Sequence, residues 1–201
     1  SDAVICPSKF AESELKRYGL TVPSYVISNG LLPQFRPIKA LRDKEFKDKF
    51  IILTVGRIAK DKRHDVLIDA VALSKYEKSI QLIITGKGPL KEKIEKYSEK
   101  LTNKPPFKFV TEDELIRMYN TSDIYIHPSE VELESMSVLE AIGCGLPALI
   151  SDSRTSAAKQ FALNEKFIFN SGNPYDLARR IDYWIEHRQE LKRSKQLYHK
   201  K

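Results

Sequence analysis

The chain has 201 residues, of which 41% are hydrophobic and 30% are charged, and its formal net charge is +7. This length and composition predict a soluble globular protein with one substantial core. The longest apolar runs, such as residues 50–55, are too short to cross a bilayer, which excludes a membrane-spanning helix. The basic charge is compatible with nucleic acid, an anionic membrane surface or a phosphorylated substrate.

Cysteine usage indicates the compartment. The chain contains only Cys6 and Cys144, far apart in the sequence, and no export signal is evident. Two such thiols are expected to be free, as in a reducing environment. We therefore expect a cytoplasmic protein.

The first part of the chain is predicted to hold one helix and one short strand. Ser8 is the expected N-cap of a helix that Gly19 ends, with Ala11 and Leu15 on its inner face. Residues 25–27 are predicted to form the strand, which the turn pair Asn29-Gly30 ends. The prolines and charged residues that follow predict a linker over residues 38–49.

From residue 50 onward, apolar strands alternate with helices. A helix after the first strand is expected to bury Val66, Ala70 and Leu73, and Thr111 and Glu114 form a predicted capping box. A short helix contains Glu140, and a long terminal helix begins near Pro174. The predicted strands are residues 50–55, 81–85, 107–110, 124–126, 148–150 and 167–169.

These elements predict a doubly wound, Rossmann-like α/β domain with a parallel sheet. Strands without polar alternation are buried on both faces, and strands separated by helices run parallel through right-handed crossovers. In such sheets, ligands bind beyond the carboxyl ends of the strands. Functional residues are therefore expected in the loops after those ends.

Two of these loops carry groups suited to phosphate. Gly56 lets backbone approach a ligand, Arg57 can bind phosphate in a bidentate manner, and Lys62 adds a charge five residues on. The alternative is a solvated basic loop. After the next strand, Gly86 and Lys87 reach the same edge, but a lone Gly-x-Gly is weak and could be a tight turn before Pro at the start of a helix.

Glu132 and Glu140 form the most informative pair. The first is expected in a loop and the second inside a helix whose first exposed backbone N–H groups fall between them. Two acceptors for sugar hydroxyls that flank an anion site suit a nucleotide sugar. The alternative is a capping carboxylate plus an ordinary polar helix residue, whereas a glycoside hydrolase pair fits poorly.

The histidines suggest no metal site and no cofactor. None of His64, His127, His187 and His199 has a metal-binding spacing or lies beside a plausible nucleophile. His127 is expected to pack or to form hydrogen bonds. No base is within sequence reach of Ser135.

Four motifs in order give a resemblance to a known family. They are Gly56-Arg57-Ile58 with Lys62, then Gly86-Lys87-Gly88-Pro89, then Pro128-Ser129 with Glu132, and finally Glu140-Ala141 with Gly143-Cys144-Gly145-Leu146-Pro147. From about residue 50 to the end, the chain resembles the donor-binding domain of family 4 glycosyltransferases, which are retaining enzymes of GT-B architecture. Residues 1–37 are similar to the last helix and strand of that family's acceptor domain.

The resemblance implies roles for individual residues. Arg57, Lys62 and Glu132 would be catalytic, the first two at the donor diphosphate and Glu132 at the transferred sugar. Glu140 would take the ribose hydroxyls, and Val110 would lie near the base. The remaining donor-binding positions would be Gly56, Gly86, Lys87, Glu134, Ser135, Met136 and Ser137.

One loop departs from the family pattern. The family usually has Gly-Phe-Gly after its first glutamate, and here the residues are Leu133, Glu134 and Ser135, which adds side chains beside the sugar. The variant resembles bacterial glucosyltransferases that act on membrane lipids. It implies hexose transfer, with UDP-glucose as the expected donor and a membrane lipid or a glycan as the acceptor, at the inner face of the cell membrane.

Three readings of the function stay open at this point. The first is a metal-independent hexosyltransferase whose isolated chain transfers little sugar, because most of its acceptor domain, an expected partner, is absent. The second is a non-catalytic basic α/β module that binds nucleic acid or protein partners, which leaves the two glutamates without a role. The third is a degenerate sugar-nucleotide binder. The terminal helix, with six basic residues, could face another domain, anionic lipid or solvent.

Overall fold

A computed structural model describes residues 2–198 and contains eight strands and seven α-helices in that range. The strands are β1 Val4–Cys6, β2 Ser24–Val26, β3 Phe50–Val55, β4 Ile80–Thr85, β5 Phe107–Lys108, β6 Ile124–His127, β7 Ala148–Ser151 and β8 Ile168–Phe169. The helices are α1 Lys9–Arg17, α2 His64–Leu73, α3 Lys91–Tyr97, α4 Glu112–Thr121, α5 Met136–Gly143, α6 Pro174–Glu186 and α7 Arg188–Tyr198.

Six strands form one parallel sheet in the order β5-β4-β3-β6-β7-β8. The chain builds outward from β3 to one edge and then restarts at β6 on the other side of β3. This reversal is the switch point at which open α/β sheets bind ligands. The predicted doubly wound parallel fold is therefore confirmed.

Each face of the sheet carries its own core. Side chains alternate along β3, so that Ile52 packs with the core under α2, α3 and α6, while Leu53 packs with the core under α4 and α5. Both residues are fully buried. Trp184 stacks on Phe167 in the first core, with ring centroids 4.3 Å apart. Helices on both faces explain why the central strands are mostly apolar and show no alternation of polar and apolar residues.

Several local expectations are corrected. Leu15 and Leu73, expected inside, are 41% and 45% exposed. The long terminal helix is two helices, because the backbone of His187 leaves the helical region and its N–H group closes α6 on the carbonyl of Tyr183. Phe167 lies in a 3-10 turn rather than in a strand. The capping box of Thr111 and Glu114 is present as predicted.

The N-terminal residues form a small appendage. β1 and β2 pair in parallel with each other alone, and β1 was not predicted. Phe35 is buried against Tyr119 of α4, and Arg42 forms an ion pair with Asp123, with 2.9 Å between the charged atoms. The division into an acceptor-domain fragment, a linker and a donor domain stays a prediction. Within residues 2–198, no helix is long and apolar enough to cross a membrane.

Candidate functional site

The loops after β3 and β4 run side by side at the carboxyl edge of the sheet. The N–H group of Gly56 donates to the carbonyl of Thr85 at 3.0 Å, and the N–H group of Ile58 donates to that of Lys87 at 2.8 Å. The two loops that the sequence singled out for phosphate are thus joined through their backbones.

Glycines permit this contact. A Cβ added to Gly86 would lie 1.9 Å from the carbonyl oxygen of Gly56, and one added to Gly88 would lie 2.2 Å from that of Ile58. Neither distance is possible without moving the backbone, and Gly86 also has a φ of +145°. The Gly-x-Gly sequence is therefore explained by loop packing, which leaves Lys87 projecting from a fixed backbone.

Lys62 and Glu132 meet across the switch point. The Nζ atom of Lys62, at the end of a 3-10 turn, lies 2.5 Å from Oε1 of Glu132. The Nε2 atom of the buried His127 lies 3.1 Å from the same oxygen. Within residues 2–198, Oε2 of Glu132 has no hydrogen-bond partner, and the side chain is 15% exposed.

These contacts fix the charge of Glu132. Burial alone would raise the pKa of this carboxyl, but the hydrogen bonds and charges of His127 and Lys62 outweigh it and lower the pKa to about 2. The backbone of Glu132 is held as well, because its N–H group donates to Thr155 and its carbonyl accepts from Ala157. Sequence analysis expected His127 to pack or to form hydrogen bonds, but it did not predict that His127 and the loop after β7 contact Glu132, since no pattern within the chain links these distant segments.

Helix α5 begins beside this pair in a strained conformation. Its N-cap Ser135 has a φ of +83°, unusual for a residue other than glycine. The hydroxyl of Ser135 lies 3.4 Å from Nε2 of His127, which corrects the expectation that no base is near it. Ser137, in the first turn, accepts a hydrogen bond from the buried Tyr125 at 2.9 Å. Met136 is 39% exposed.

Glu140 lies one turn further along α5 and is half-buried. Its Oε2 atom accepts a hydrogen bond from Tyr119 at 2.9 Å. Burial raises the pKa of Glu140, and the hydrogen bond opposes this rise only in part. The two glutamates thus flank the start of α5, as predicted from their spacing, but in different environments.

Three other predicted site residues, Arg57, Lys87 and Val110, form no hydrogen bond or ion pair with Lys62, Glu132 or Glu140. Arg57 is exposed at the edge and forms no ion pair with any residue in 2–198. The Nζ atom of Lys87 lies 3.7 Å from the ring centroid of Phe109. Val110 lines a small cavity against α4, with Ile83 and Met118.

Glu134 is hydrogen-bonded through its carboxylate to the N-terminal part of the chain. Its carboxylate is 4% exposed, and Oε2 accepts hydrogen bonds from the backbone N–H group of Asn29 at 3.0 Å and from its Nδ2 atom at 2.6 Å. Beside it, the hydroxyl of Ser8 donates to the carbonyl of Leu133. In place of the expected donor contact, residues 133–134 tie the N-terminal appendage to the loop before α5.

Two cavities adjoin these groups. The smaller is lined by Gly56, Lys62, His127 and Ser129. The larger, of about 610 Å³, lies beside Arg63 and Glu130, which form an ion pair. His64 lines both and is buried with no partner for Nδ1 in the described range; burial lowers its pKa to about 4. Residues 2–198 show no group of three or more His, Cys, Asp or Glu side chains suited to a metal ion. His199 lies outside the described residues.

Comparison with known proteins gives a consistent result. A 164-residue stretch is 30% identical to a GDP-mannose-dependent alpha-(1-6)-phosphatidylinositol dimannoside mannosyltransferase of Mycobacterium tuberculosis and covers 78% of this chain and 42% of that protein. The alpha-monoglucosyldiacylglycerol synthase of Streptococcus pneumoniae is 28% identical over 162 residues, with 74% and 37% covered. The chain therefore spans less than half the length of these relatives.

Solved structures agree with the fold. The catalytic domain of cholesterol-alpha-glucosyltransferase from Helicobacter pylori is 40% identical, with a TM-score of 0.69, and the match covers 75% of this chain and 96% of that one. Anabaena HepE in complex with UDP and glucose is 18% identical, with a TM-score of 0.83 and 98% and 58% covered, which supports the fold alone. The profile of the family described as "Glycosyl transferases group 1" matches residues 38–200. The chain belongs to this glycosyltransferase family.

Proposed function

We propose that this chain is the donor-binding part of a hexosyltransferase that uses a nucleotide sugar. The observation that carries the proposal is the meeting of Lys62 and Glu132 beside the start of α5, with Glu140 one turn further on. This arrangement brings a cation and a carboxylate together just before a helix that carries a second carboxylate in its second turn. A nucleotide sugar presents the matching groups, namely a diphosphate and two sets of hydroxyls.

The reaction places negative charge on the departing diphosphate. Arg57, Lys62 and the first N–H groups of α5, at Met136 and Ser137, are the groups that would stabilise this charge. Glu132 is ionised at neutral pH because its pKa is about 2, so its free oxygen can accept a hydrogen bond from a sugar hydroxyl. Glu140 would hold the ribose hydroxyls. This scheme requires no metal ion.

UDP-glucose is the donor that we propose. In support, the 40% identical catalytic domain belongs to a glucosyltransferase, and a neighbour of the same fold was solved with UDP and glucose. GDP-mannose is the second candidate, because the 30% identical relative is a GDP-mannose-dependent enzyme.

We propose that the acceptor binds to an acceptor domain, most of which this chain lacks. The appendage exposes apolar side chains, with Ile5 66% exposed and Tyr25 58% exposed, and a two-stranded sheet is marginal by itself. Both features suit a fragment that packs on the rest of an acceptor domain. The names of two relatives, a phosphatidylinositol dimannoside mannosyltransferase and a monoglucosyldiacylglycerol synthase, support a lipid acceptor, with a glycan as the alternative. With a lipid acceptor, we propose a peripheral position at the inner membrane face. We expect the isolated chain to bind donor and to transfer little sugar.

A non-catalytic module for nucleic acid or protein partners is less well supported. It assigns no role to Glu132, whose negative charge would repel a phosphate backbone. Membership of a glycosyltransferase family favours the sugar-nucleotide proposal.

Calorimetric titration of the chain with UDP-glucose, GDP-mannose and ADP-glucose tests the proposal. We expect UDP-glucose to bind most tightly, and Arg57→Ala and Glu140→Ala to weaken it by about tenfold or more, since a charge-assisted hydrogen bond contributes about 1.5–3 kcal/mol. Glu99→Ala, an exposed glutamate far along the chain from the site, is the matched control and should leave binding unchanged. Preferred binding of GDP-mannose would overturn the donor assignment, and binding of none would overturn the function.

A further inference from the structure

A second charged cavity lies at the opposite edge of the sheet. This basal cavity, of about 160 Å³, is at the amino ends of β3 and β6. Val55, at the donor edge, is five residues along β3 from Phe50, or about 17 Å at the usual rise of a strand. One phosphate group cannot occupy both places. The residues that line the basal cavity are Arg42, Phe50, Asp123, Arg188, Leu191, Lys192 and Lys195.

Helix α7 supplies three of the cations from a single face. Arg188, Lys192 and Lys195 are spaced at i, i+4 and i+7, which places them one above another on a helix. Leu191 is 3% exposed and anchors this side of α7 in the core. From the sequence, this basic segment could face another domain, anionic lipid or solvent; the packing turns one basic stripe toward a concave surface.

Among residues 2–198, the carboxylate of Asp123 is the one that lines the cavity, and it is already paired. Asp123 accepts a hydrogen bond from Arg42 at 2.9 Å through one oxygen and from the N–H group of Ile51 at 2.8 Å through the other. Arg42 also donates to the carbonyls of Lys49 and Thr121. Arg42 and Asp123 thus neutralise each other and leave the three cations of α7 uncompensated.

These three cations retain unused donors. Lys195 gives one hydrogen bond to the carbonyl of Ser122 at 3.1 Å. The guanidinium of Arg188 lies over the ring of Phe50, with 5.3 Å to the centroid. Neither Arg188 nor Lys192 forms an ion pair within residues 2–198. Burial lowers the pKa of Lys195, and the positive charges of Arg42 and Lys192 add to this effect, although Asp123 opposes them.

We propose that the basal cavity binds a phosphate group, separately from the donor site. Three cations on one face of α7, beside an Asp123 that is already paired, match the charge and the several acceptor oxygens of a phosphomonoester or phosphodiester. The phosphate can come from a soluble compound or from the headgroup of an anionic lipid. The site is independent of the identity of the donor.

A matched pair of charge reversals tests this site. Lys192→Glu removes a lining cation, whereas Arg193→Glu makes the same charge change at the next position of α7, which is also exposed but does not line the cavity. One arm titrates the chain with inorganic pyrophosphate. The other measures cosedimentation with phosphatidylglycerol vesicles and with phosphatidylcholine vesicles. Arg57→Ala reports any phosphate bound at the donor edge.

In one of the two assays, either the pyrophosphate titration or the cosedimentation with anionic vesicles, we expect Lys192→Glu to weaken binding by about tenfold to 100-fold. Arg193→Glu should have little effect in the same assay. A loss in the pyrophosphate arm identifies a soluble ligand, and a loss confined to anionic vesicles identifies a lipid headgroup. Equal effects of the two reversals, loss of pyrophosphate binding only in Arg57→Ala, or no binding in either arm would overturn the proposal.

Discussion

Removal of the Glu134 carboxylate should release the N-terminal appendage without unfolding the main domain. β1, β2 and α1 form a unit too small to be stable alone, and the contacts of Asn29 with Glu134 and of Ser8 with Leu133 hold it to the loop before α5. Loss of the Glu134 contact should therefore appear first as local opening of the appendage.

The expected magnitude follows from the two hydrogen bonds. Each bond from Asn29 ends on a carboxylate oxygen and contributes about 1.5–3 kcal/mol, and the exposure of Asn29 allows water to replace part of this. We expect Glu134→Ala to lower the free energy of local opening by about 2–4 kcal/mol. Both bonds end on Oε2, so the amide oxygen of Glu134→Gln can accept both, and its cost should be nearer about 1 kcal/mol.

Amide hydrogen exchange measures this opening directly. The amides of Val4 and Ile27, which donate to the carbonyls of Pro23 and Cys6, report on the appendage, and those of Ile52 and Leu53 in β3 report on the main domain. Glu134→Ala should accelerate exchange in the first pair only, and the exposed control Glu99→Ala in neither. Unchanged exchange at Val4 and Ile27 would refute the assignment, as would an equal increase in both pairs.

Three further predictions concern stability. The pKa of the His64 imidazole is about 6.5 in the unfolded chain and about 4 in the folded protein, where the side chain is buried. Between these two pH values only the unfolded chain is protonated, so urea titrations should show the free energy of unfolding falling by about 1.4 kcal/mol for each unit that the pH is lowered. His64→Gln should flatten this dependence. Ser135→Gly should raise the free energy of unfolding by about 0.5–1 kcal/mol, because glycine adopts the φ of +83° without strain. Ser137→Gly, inside α5, should lower it by a similar amount. A decrease at both positions would contradict the inference that the backbone of Ser135 is strained. Gly86→Ala should lower the melting temperature by an amount equivalent to at least about 2 kcal/mol, and an unchanged value would contradict the loop contact.

The fold of the main domain could be predicted from the sequence because its signals are local. Continuous apolar runs such as residues 50–55 fix buried strands, and a capping box at Thr111 fixes the start of α4. Exposure of Leu15 and Leu73 could not be predicted, since an inward position depends on what packs against the helix. The break at His187 also lacks a proline or glycine signal.

For the candidate site, the sequence predicted which residues lie at the carboxyl edge of the sheet, but it did not predict which side chains contact one another there. The pairing of Lys62 with Glu132 joins residues 70 positions apart, and its geometry depends on the order of the strands. The contact between Glu134 and Asn29 spans 105 positions. Because such contacts are set by tertiary packing, no spacing rule in one sequence indicates them. The resemblance to the family supplied the roles, and the structure supplied the contacts.

The central claim is that the loops after β3 and β4 and the start of α5 form one site for a nucleotide sugar. Amide chemical-shift mapping of the chain titrated with UDP-glucose tests it most directly. We predict the largest changes together in residues 56–62, 86–87 and 135–140. Changes confined to other residues, or to only one of these three segments, would contradict the claim.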